Sequence, residues 1–399
     1  MSSANTPDPA IGEATLTVSP HFADMPAAEW ATLSGASRHE SGSPYNPFLS
    51  HAFLSSVEES GCATRESGWL GQHLWLRAAD GTLLGAVPCY LKAHSQGEYV
   101  FDHGWADAFE RAGGRYYPKL QASVPFTPAR GPRLLTRRGT DERVVRGALA
   151  EGLKTLTERL GVSSAHVTFA MDEDIEALQA SGFLMRIDQQ FHFFNRGYGT
   201  YEDFLATLAS RKRKALKKER RAALENGIQI DWLTGSDLSE AVWDDFFAFY
   251  SDTGSRKWGR PYLNRRFFSL IGERMADDIL LVMARRAGRY IAGAINFIGS
   301  DTLYGRNWGC IEHHPFLHFE VCYHQAIAFA IERGLSTVEA GAQGEHKLAR
   351  GYEPVITRSA HHIPHPGLRH AVAQYLEGER QDVAEINSLL GAHTPFRKG

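Results

Sequence analysis

Apolar positions in the first half of the chain alternate between helical and strand spacing. Large apolar residues recur at helical intervals between 44 and 60, which predicts an amphipathic helix. Two apolar runs, 74–76 and 83–91, flank Asp80-Gly81, a dipeptide that accepts the positive φ angles of a tight turn, and so predict a β-hairpin. The pattern then predicts a helix, a buried strand and an alternating strand at 141–160, 166–170 and 191–195.

One long stretch of the first half, 102–133, shows neither period and is rich in glycine, proline, tyrosine and arginine. Loops of this length inside a compact domain are usually binding loops or disordered segments, and the aromatic content favours the first. We therefore expect an irregular binding loop here, with Asp102, His103 and Trp105 as candidate substrate contacts.

The second half repeats the order of the first. A hairpin, a strand, a helix, a short buried strand and a final strand are predicted at 280–298, 303–308, 319–333, 337–340 and 355–361. A repeat of this length with weak residue identity indicates a duplicated domain rather than a solenoid. The alternative is that hairpins and helices recur in any mixed α/β protein.

Composition is that of an ordinary soluble protein, with 43% hydrophobic and 22% charged residues and a net charge of -3. At roughly 150 residues per domain, the 399 residues predict two to three domains. No run approaches about 18 apolar residues, so we expect no stable membrane insertion. Residues 1–20 lack the pattern of a signal peptide, and the four scattered cysteines indicate a reducing cytoplasm rather than a disulfide framework.

The net charge gives no global positive field, but residues 211–221 contain eight basic residues and one acid. A narrow apolar stripe predicts a helix here, closed by Asn226-Gly227. This helix is either a solvated linker or a contact for the phosphates of a nucleotide cofactor, an RNA acceptor stem or anionic lipid headgroups. Under the second interpretation, the residues that bind the donor include Arg211, Lys212 and Arg213.

The densest cluster of chemically able residues lies between 304 and 352. Its last run, Glu339 to Tyr352, follows a short apolar strand and carries several glycines, which permit close backbone approach to a ligand. From this run we predict catalytic roles for Glu345, His346, Lys347 and Arg350, and donor binding at Gly344 and Gly351. Candidate substrate-binding residues are Tyr304, Arg306, Trp308, His318, Glu320, Tyr323 and Gln343. Each of the four predicted catalytic residues has a plain alternative as a surface or salt-bridged side chain.

Other catalytic chemistries find less support in the sequence. His313, His314, His318 and Glu320 match no established zinc spacing, and apolar residues interrupt them, so we predict no metal site. The chain has no G-x-S-x-G elbow, and no cysteine lies in an activating motif. General acid–base and cationic groups remain, which suits a reaction whose nucleophile belongs to the substrate.

Several segments resemble the bacterial FemAB-like N-acyltransferases. The segments that carry the resemblance are 43–48, 126–133, 304–309, 318–323 and 341–352, and the likeness spans about residues 40 to 390. It implies an α/β (α+β) fold of tandem duplicated GNAT-like domains, each a mixed, mostly antiparallel sheet flanked by helices. The implied organisation is a flexible leader at 1–40, a first domain at 41–200, a basic connecting helix at 201–227 and a second domain at 228–399 that carries the site.

The resemblance also suggests the chemistry. In Fem ligases a lysine of an aromatic-Lys motif lies by the acyl donor, and Lys347 is its best match, although its neighbour here is His346. The donor is then acyl-CoA, used by GNAT acetyltransferases, or aminoacyl-tRNA, used by Fem ligases, and the acceptor is an amine of a small molecule or peptide. No segment has the Q/R-x-x-G-x-G/A spacing that binds the pyrophosphate of coenzyme A before a clear helix.

The mechanism we expect begins when Glu345 or His346 deprotonates the acceptor amine, which then attacks the acyl carbonyl. Lys347 or Arg350 would stabilise the oxyanion or the donor phosphates. Two other functions remain open from the sequence: a non-catalytic module that recognises a cell-wall peptide or an RNA, and a metal-dependent hydrolase.

Overall fold

The computed structural model describes residues 12–35, 37–39, 45–258, 261–341, 344–392 and 394–397, without the side chains of 255–258 and 345. The chain forms two compact units that alternate along the sequence. The first unit comprises Met1–Ala36, Phe48–Asp188 and Thr357–Val383. The second comprises Ser37–Pro47, Gln189–Ile356 and Ala384–Gly399.

The helices and strands are numbered in chain order. The helices are α1 (Ala27–Ser34), α2 (His51–Glu59), α3 (His103–Arg111), α4 (Glu142–Leu160), α5 (Asp172–Ala180), α6 (Tyr201–Thr207), α7 (Ser210–Ala223), α8 (Glu240–Trp258), α9 (Arg265–Met275), α10 (Leu317–Phe319), α11 (Gln325–Glu332) and α12 (Pro366–Ala392). The strands are β1 (Ala14–Ser19), β2 (Trp69–Gly71), β3 (His73–Ala78), β4 (Leu83–Val87), β5 (Cys89–Lys92), β6 (Lys119–Ala122), β7 (Leu135–Thr136), β8 (Ala165–Ala170), β9 (Leu184–Phe194), β10 (Gln229–Leu233), β11 (Ile279–Arg286), β12 (Arg289–Ile298), β13 (Thr302–Cys310), β14 (Thr337–Glu339) and β15 (Glu353–His362).

In the first unit, strands pair in the orders β1-β3-β4-β7 and β15-β8-β6-β5-β2. These pairings are antiparallel except for β6 with β8. Helix α4 packs a fully buried apolar face, including Val145, Leu149 and Leu153, on this unit's core. Its limits follow from local chemistry, because the Asp141 side chain accepts from the backbone N–H of Val144 at the start and Gly161 takes the left-handed conformation at the end.

In the second unit, the strand order is β10-β11-β12-β13-β14-β9. The pairings are antiparallel except for β13 with β14, whose parallel arrangement requires the helical crossover that α10 and α11 provide. Buried residues of β11, β12 and α11, such as Val282, Ile291 and Ile327, form the core under this sheet. The predicted hairpin at 280–298 and the strand at 303–308 are both confirmed.

Three predictions for the first half are wrong. Residues 1–40 are not simply a flexible leader, because their described part contains β1, which pairs with β3, and α1, which buries Trp30. The stretch 102–133 is not irregular, because it contains α3 and β6. β6 begins at Lys119, which is buried through ion pairing, and it contains buried Gln121, so it lacks an apolar signature. The predicted hairpin is confirmed, since β3 pairs with β4, but its second run, 83–91, is not one strand. Pro88, which has no N–H to donate, separates β4 from β5, and these strands join different ladders.

The units also divide the chain differently from the predicted domain boundaries. Residues 357–362 of β15 pair with β8, which carries the late segment 357–383 into the first unit. The predicted connecting helix 201–227 consists of α6 and α7 and belongs to the second unit, where Leu216 and Ala223 are buried. Beyond α7, Asn226 and Gly227 both take positive φ angles and turn the chain as expected.

Candidate active site

Most of the predicted site residues lie on three elements of the second unit. These are β13 with Tyr304, Arg306 and Trp308, α10 and the turn after it with His318, Glu320 and Tyr323, and a 3-10 turn, Glu345–Arg350, with the four predicted catalytic residues. Tyr304 is buried, and Arg306 and Trp308 are half-buried. Ring contacts of Trp308 with His318 and of His318 with His346 bring together side chains of the strand, the helix and the 3-10 turn.

The helix that starts at Leu317 contains a π turn, Glu320–His324, before it continues as α11. Such turns are rare and occur frequently at functional sites. Glu320, Tyr323 and His324 are all buried within it. The π turn therefore places these three polar side chains next to the candidate site.

His346 presents an exposed imidazole beside this turn. Its Nε2 lies 2.9 Å from the Tyr323 hydroxyl oxygen, and its ring packs 5.6 Å from the Phe319 ring, centroid to centroid. Partial burial lowers the pKa of His346, and the neighbouring cations Lys347 and Arg350 lower it further, so the ring is neutral at pH 7. A Cβ on Gly344, which has a φ of 117°, would stand 2.3 Å from the His346 ring, so only glycine fits this position.

Lys347 lies next to His346 but is 1% exposed. Its Nζ donates to the carbonyl oxygen of Gly341 at 2.9 Å. Burial lowers the pKa of Lys347 to about 7, to which the charge of nearby Arg306 also contributes. Near neutral pH this amine therefore exists in both protonation states, unlike an ordinary surface lysine.

Arg350 fastens the 3-10 turn to helix α7. Its Nε and Nη2 donate to the two carboxylate oxygens of Glu219 at 2.9 and 2.7 Å, and Nη1 donates to the carbonyl oxygen of His346 at 2.7 Å. Glu219 also lies 2.9 Å from Nε2 of buried His324, whose Nδ1 is 2.7 Å from the Tyr201 hydroxyl. Burial raises the pKa of Glu219, but hydrogen bonds from His324 and Arg350 outweigh burial and hold this pKa below its usual value.

A second ion pair joins α7 to the π turn. Arg220 donates to both oxygens of Glu320, which is fully buried, and its guanidinium lies 4.3 Å over the Tyr201 ring. Gln325 donates to the same carboxylate at 2.7 Å. Glu320, predicted as a substrate contact, is therefore hydrogen-bonded within the protein, to Arg220 and Gln325.

The outer face of α7 carries most of the remaining basic residues, of which Lys217 is paired with Glu202. Arg211, Lys214, Lys218 and Arg221 are exposed at helical spacing, and we call these four residues the cationic stripe. Among the predicted donor-binding residues, Lys212 is also exposed and Arg213 is half-buried. The basic helix is therefore neither a plain linker nor a purely solvated face, because one side is bonded to the candidate site and the other faces solvent.

A cavity of about 290 Å³ adjoins β13 and α10. Trp308 and His318 line it, with ring centroids 5.2 Å apart. The His318 ring in turn lies 6.3 Å from the His346 ring and 5.5 Å from the Tyr323 ring. The cavity is thus separated from His346 by a single imidazole.

Three predicted substrate residues belong to the first unit. Asp102 is buried and accepts from Lys119 Nζ at 2.5 Å, the Tyr116 hydroxyl at 2.6 Å and the Ser95 hydroxyl. Trp105 is buried against His361 with a centroid distance of 4.9 Å. His103 is exposed at the start of α3. Asp102 and Trp105 thus belong to a buried polar cluster of the first unit.

The site contains residues that the sequence did not single out, chiefly Glu219 and His324. Glu219 had a signal, since it is the one acid in the basic run 211–221. Of the predicted residues, Gln343 and the side chain of Glu345 lie outside what the structure describes. Gly351 ends the 3-10 turn with a φ of 88° and packs against Phe204, so its role as seen is to shape the backbone.

Within the described ranges, no group of three or more His, Cys, Asp or Glu side chains is arranged to hold a metal ion. In that same part of the chain, every helix is too short or too polar to cross a bilayer.

Comparison with known proteins provides an independent line of evidence. A family model described as FemAB-like, peptidoglycan biosynthesis/recognition, matches residues 21–398. The solved structure of FemX aligns with a TM-score of 0.54 at 11% identity, covering 88% of this chain and 98% of FemX. L-PGS from Bacillus licheniformis aligns with a TM-score of 0.50 at 9% identity, covering 90% and 100%. A tandem GNAT protein from the clavulanic acid biosynthesis pathway aligns with a TM-score of 0.43 at 12% identity, covering 89% and 99%. No curated protein matches the sequence.

The alignment with FemX spans most of both chains and shows a shared fold, and the predicted α/β (α+β) class with mixed, mostly antiparallel sheets flanked by helices is confirmed. The family model extends over nearly the whole chain, which includes every element of the candidate site. The chain therefore belongs to the FemAB-like family of peptidoglycan biosynthesis/recognition proteins.

Proposed function

We propose that this protein is an N-acyltransferase that moves an acyl or aminoacyl group from an activated donor to the amine of a small molecule or peptide. The observation that carries the proposal is the pair His346 and Lys347: an exposed neutral imidazole next to a buried amine whose pKa is about 7, on one turn. Family membership supports a role in peptidoglycan biosynthesis or recognition.

His346 is the proposed general base. In the tautomer with its proton on Nε2, this nitrogen donates to the Tyr323 oxygen and Nδ1 offers a lone pair to the acceptor. The acceptor amine gives one proton to Nδ1 as its nitrogen bonds to the acyl carbon. The bond from that carbon to the oxygen or sulfur of the carrier then breaks, and the carrier leaves with the electron pair and takes up a proton.

Lys347 is the proposed electrostatic partner. In its ammonium form it stabilises the oxyanion that develops on the acyl carbonyl, and its burial makes this interaction stronger than in water. Arg350 has a different proposed role. Because its guanidinium bonds to Glu219 and to the carbonyl of His346, it positions the turn rather than contacting the donor.

For the donor, we propose aminoacyl-tRNA over acyl-CoA. The cationic stripe offers four exposed charges to a phosphate backbone. The segment between β13 and α10, residues 311–316, contains no glycine, whereas backbone cradles for pyrophosphate at helix N-termini depend on glycine. Both observations favour a polyanionic carrier held by side chains.

The test is a transfer assay with purified protein, a mixture of amine acceptors, and either acyl-CoA or aminoacyl-tRNA as donor. We expect His346→Gln to lower kcat by about 10²–10⁴-fold, the range typical of a lost general base. His370→Gln, which changes an exposed histidine on α12, is the matched control and keeps full activity. Replacing the cationic stripe with glutamines should raise KM for the tRNA donor only.

Two outcomes would contradict the proposal. Full turnover in both His346→Gln and Lys347→Met would remove these residues from the mechanism. Donor and acceptor binding without any turnover would favour the alternative, a peptidoglycan- or peptide-recognition module of the same fold.

A further inference from the structure

The cavity beside His318 has a lining that none of the proposed steps uses. Besides Trp308 and His318, its lining includes Thr253 from α8, Leu317 from α10, and Glu312, His313 and His314 from the segment after β13. Its volume of about 290 Å³ lies at the small end of ligand pockets, which span roughly 300–1,000 Å³. It therefore suits one residue-sized group rather than a whole nucleotide or disaccharide.

Charge narrows the class of ligand. Among the residues that the structure describes, no lysine or arginine lines the cavity, and its one carboxylate is Glu312. Glu312 is bonded through Oε2 alone, to Arg286 at 2.7 Å and His314 at 3.0 Å, while Oε1 has a single longer contact, 3.7 Å to Arg289. An anion would be repelled by the carboxylate of Glu312, whereas a cation finds at Oε1 an oxygen that, among the described residues, has only the long contact to Arg289.

Two further groups favour a cation that can donate hydrogen bonds. The Thr253 hydroxyl is buried with no hydrogen-bond partner among the described residues, and such a group costs free energy unless a ligand or water bonds to it. The indole of Trp308, which also lines the cavity, is the ring type that attracts ammonium groups most strongly. Leu317 supplies an apolar wall along which a methylene chain can lie.

We propose that this cavity binds a primary ammonium group on an aliphatic arm and is the subsite for the acceptor. The assignment rests on the proposed function in one respect only, the identification of the bound amine as the group that is acylated. His318 connects the subsite to the base, since its ring lies 6.3 Å from His346. The bound ammonium releases one proton to solvent, and the resulting neutral amine attacks the acyl carbon while it gives its second proton to His346, as in the proposed mechanism.

The experiment measures binding without any donor. The protein is labelled with 5-fluorotryptophan, and the variant Trp308→Phe identifies the fluorine NMR resonance of Trp308. This resonance is followed during titration with three probes of equal length: 1-aminopentane, pentan-1-ol and pentanoate. We expect saturable shifts with aminopentane and affinities at least about tenfold weaker for the alcohol and the carboxylate, since a charge-assisted bond is replaced.

Two variants locate the ammonium. Thr253→Val should weaken aminopentane binding by about threefold to tenfold, the effect of one hydrogen bond, and Glu312→Gln by about tenfold. Glu332→Gln, an exposed carboxylate on α11, is the matched control and should bind normally. Thr253→Val leaves every ion pair intact, so it keeps the test decisive even where loss of the Arg286 contact disturbs the Glu312 variant.

The outcomes separate the subsite from the reaction. Ammonium-selective binding that both variants weaken supports the subsite even in a protein that shows no transfer, and the proposed function then fails alone. Equal binding of the three probes, or unchanged affinity in Thr253→Val, overturns the subsite even in a protein that transfers acyl groups.

Discussion

The sharpest prediction concerns Glu219, the acidic residue through which α7 supports the catalytic turn. Glu219→Gln keeps the size of the side chain but removes its charge, so one bonded oxygen becomes an N–H₂ group that faces the donors of Arg350. The side chains of Glu219 and Arg350 are 12% and 8% exposed, so little water is available to replace the lost bond. Arg350 is then a nearly buried cation without its counter-charge.

The magnitude follows from this burial. Removing one partner of a buried ion pair typically costs about 3–5 kcal/mol, and the residual exposure puts Glu219→Gln at the lower end, about 3 kcal/mol of unfolding free energy. Activity should fall as well, because Arg350 holds the carbonyl oxygen of His346. We expect kcat to drop by at least about tenfold with a smaller change in KM, since ~1.4 kcal/mol of lost transition-state stabilisation suffices for that factor.

Urea unfolding followed by circular dichroism measures the first effect, and the transfer assay under folded conditions measures the second. Glu225→Gln, an exposed carboxylate just beyond α7, is the matched control and should change the unfolding free energy by no more than about 0.5 kcal/mol. A loss below about 1 kcal/mol in Glu219→Gln, or a wild-type kcat in the folded variant, would refute the inferred support of the turn.

Three further predictions concern two buried histidines, the close approach of α8 to β13 at Gly309, and the protonation of Lys347. Burial lowers the pKa of His166 to about 3 and that of His361 well below its usual value, while both rings titrate near 6.5 in the unfolded chain. The free energy of unfolding should therefore fall as pH drops below about 6.5, by up to about 1.4 kcal/mol per pH unit for each ring. Denaturant titrations at pH 7 and 5 measure this, and equal unfolding free energies at the two pH values contradict it. Gly309→Ala would bring a Cβ to 2.0 Å from the Phe249 carbonyl oxygen, so we expect the free energy of unfolding, measured by thermal unfolding, to fall by at least about 3 kcal/mol. A wild-type melting curve would contradict this, since it would show that α8 and β13 can separate at little cost. If the ammonium form of Lys347 is the active one, kcat should decline as pH rises through about 7, and the residual activity of Lys347→Met should lack that decline.

Local patterns predicted the elements well where one face is apolar. The α4 helix and the β11–β12 hairpin have both a clear period and matching end signals. The sequence failed at β6, because Lys119 is buried through pairing with Glu98 and Asp102, and a polar residue that is satisfied inside the protein looks like a surface residue in the sequence.

The candidate site was predictable from the sequence only in part. His346 and Lys347 stand out because they lie in a glycine-containing run after a buried strand. Thr253 gave no signal, since an unpartnered hydroxyl becomes visible only once its surroundings are known. The interleaving of the two units was likewise hidden, because the order of elements along the chain does not state which strand β15 pairs with.

The π turn at Glu320–His324 has a consequence for how this site tolerates insertions and deletions. A π turn amounts to one residue added to an α-helix, so the helix before it and the helix after it are out of phase. Deleting one residue, for example Cys322, would restore a regular α-helix and rotate the preceding turn by about 100° relative to α11. His318 and Phe319 would then leave the ring of His346, although every side chain named in the mechanism would still be present. Length at this turn, and not only residue identity, is therefore a property on which the chemistry of the site depends.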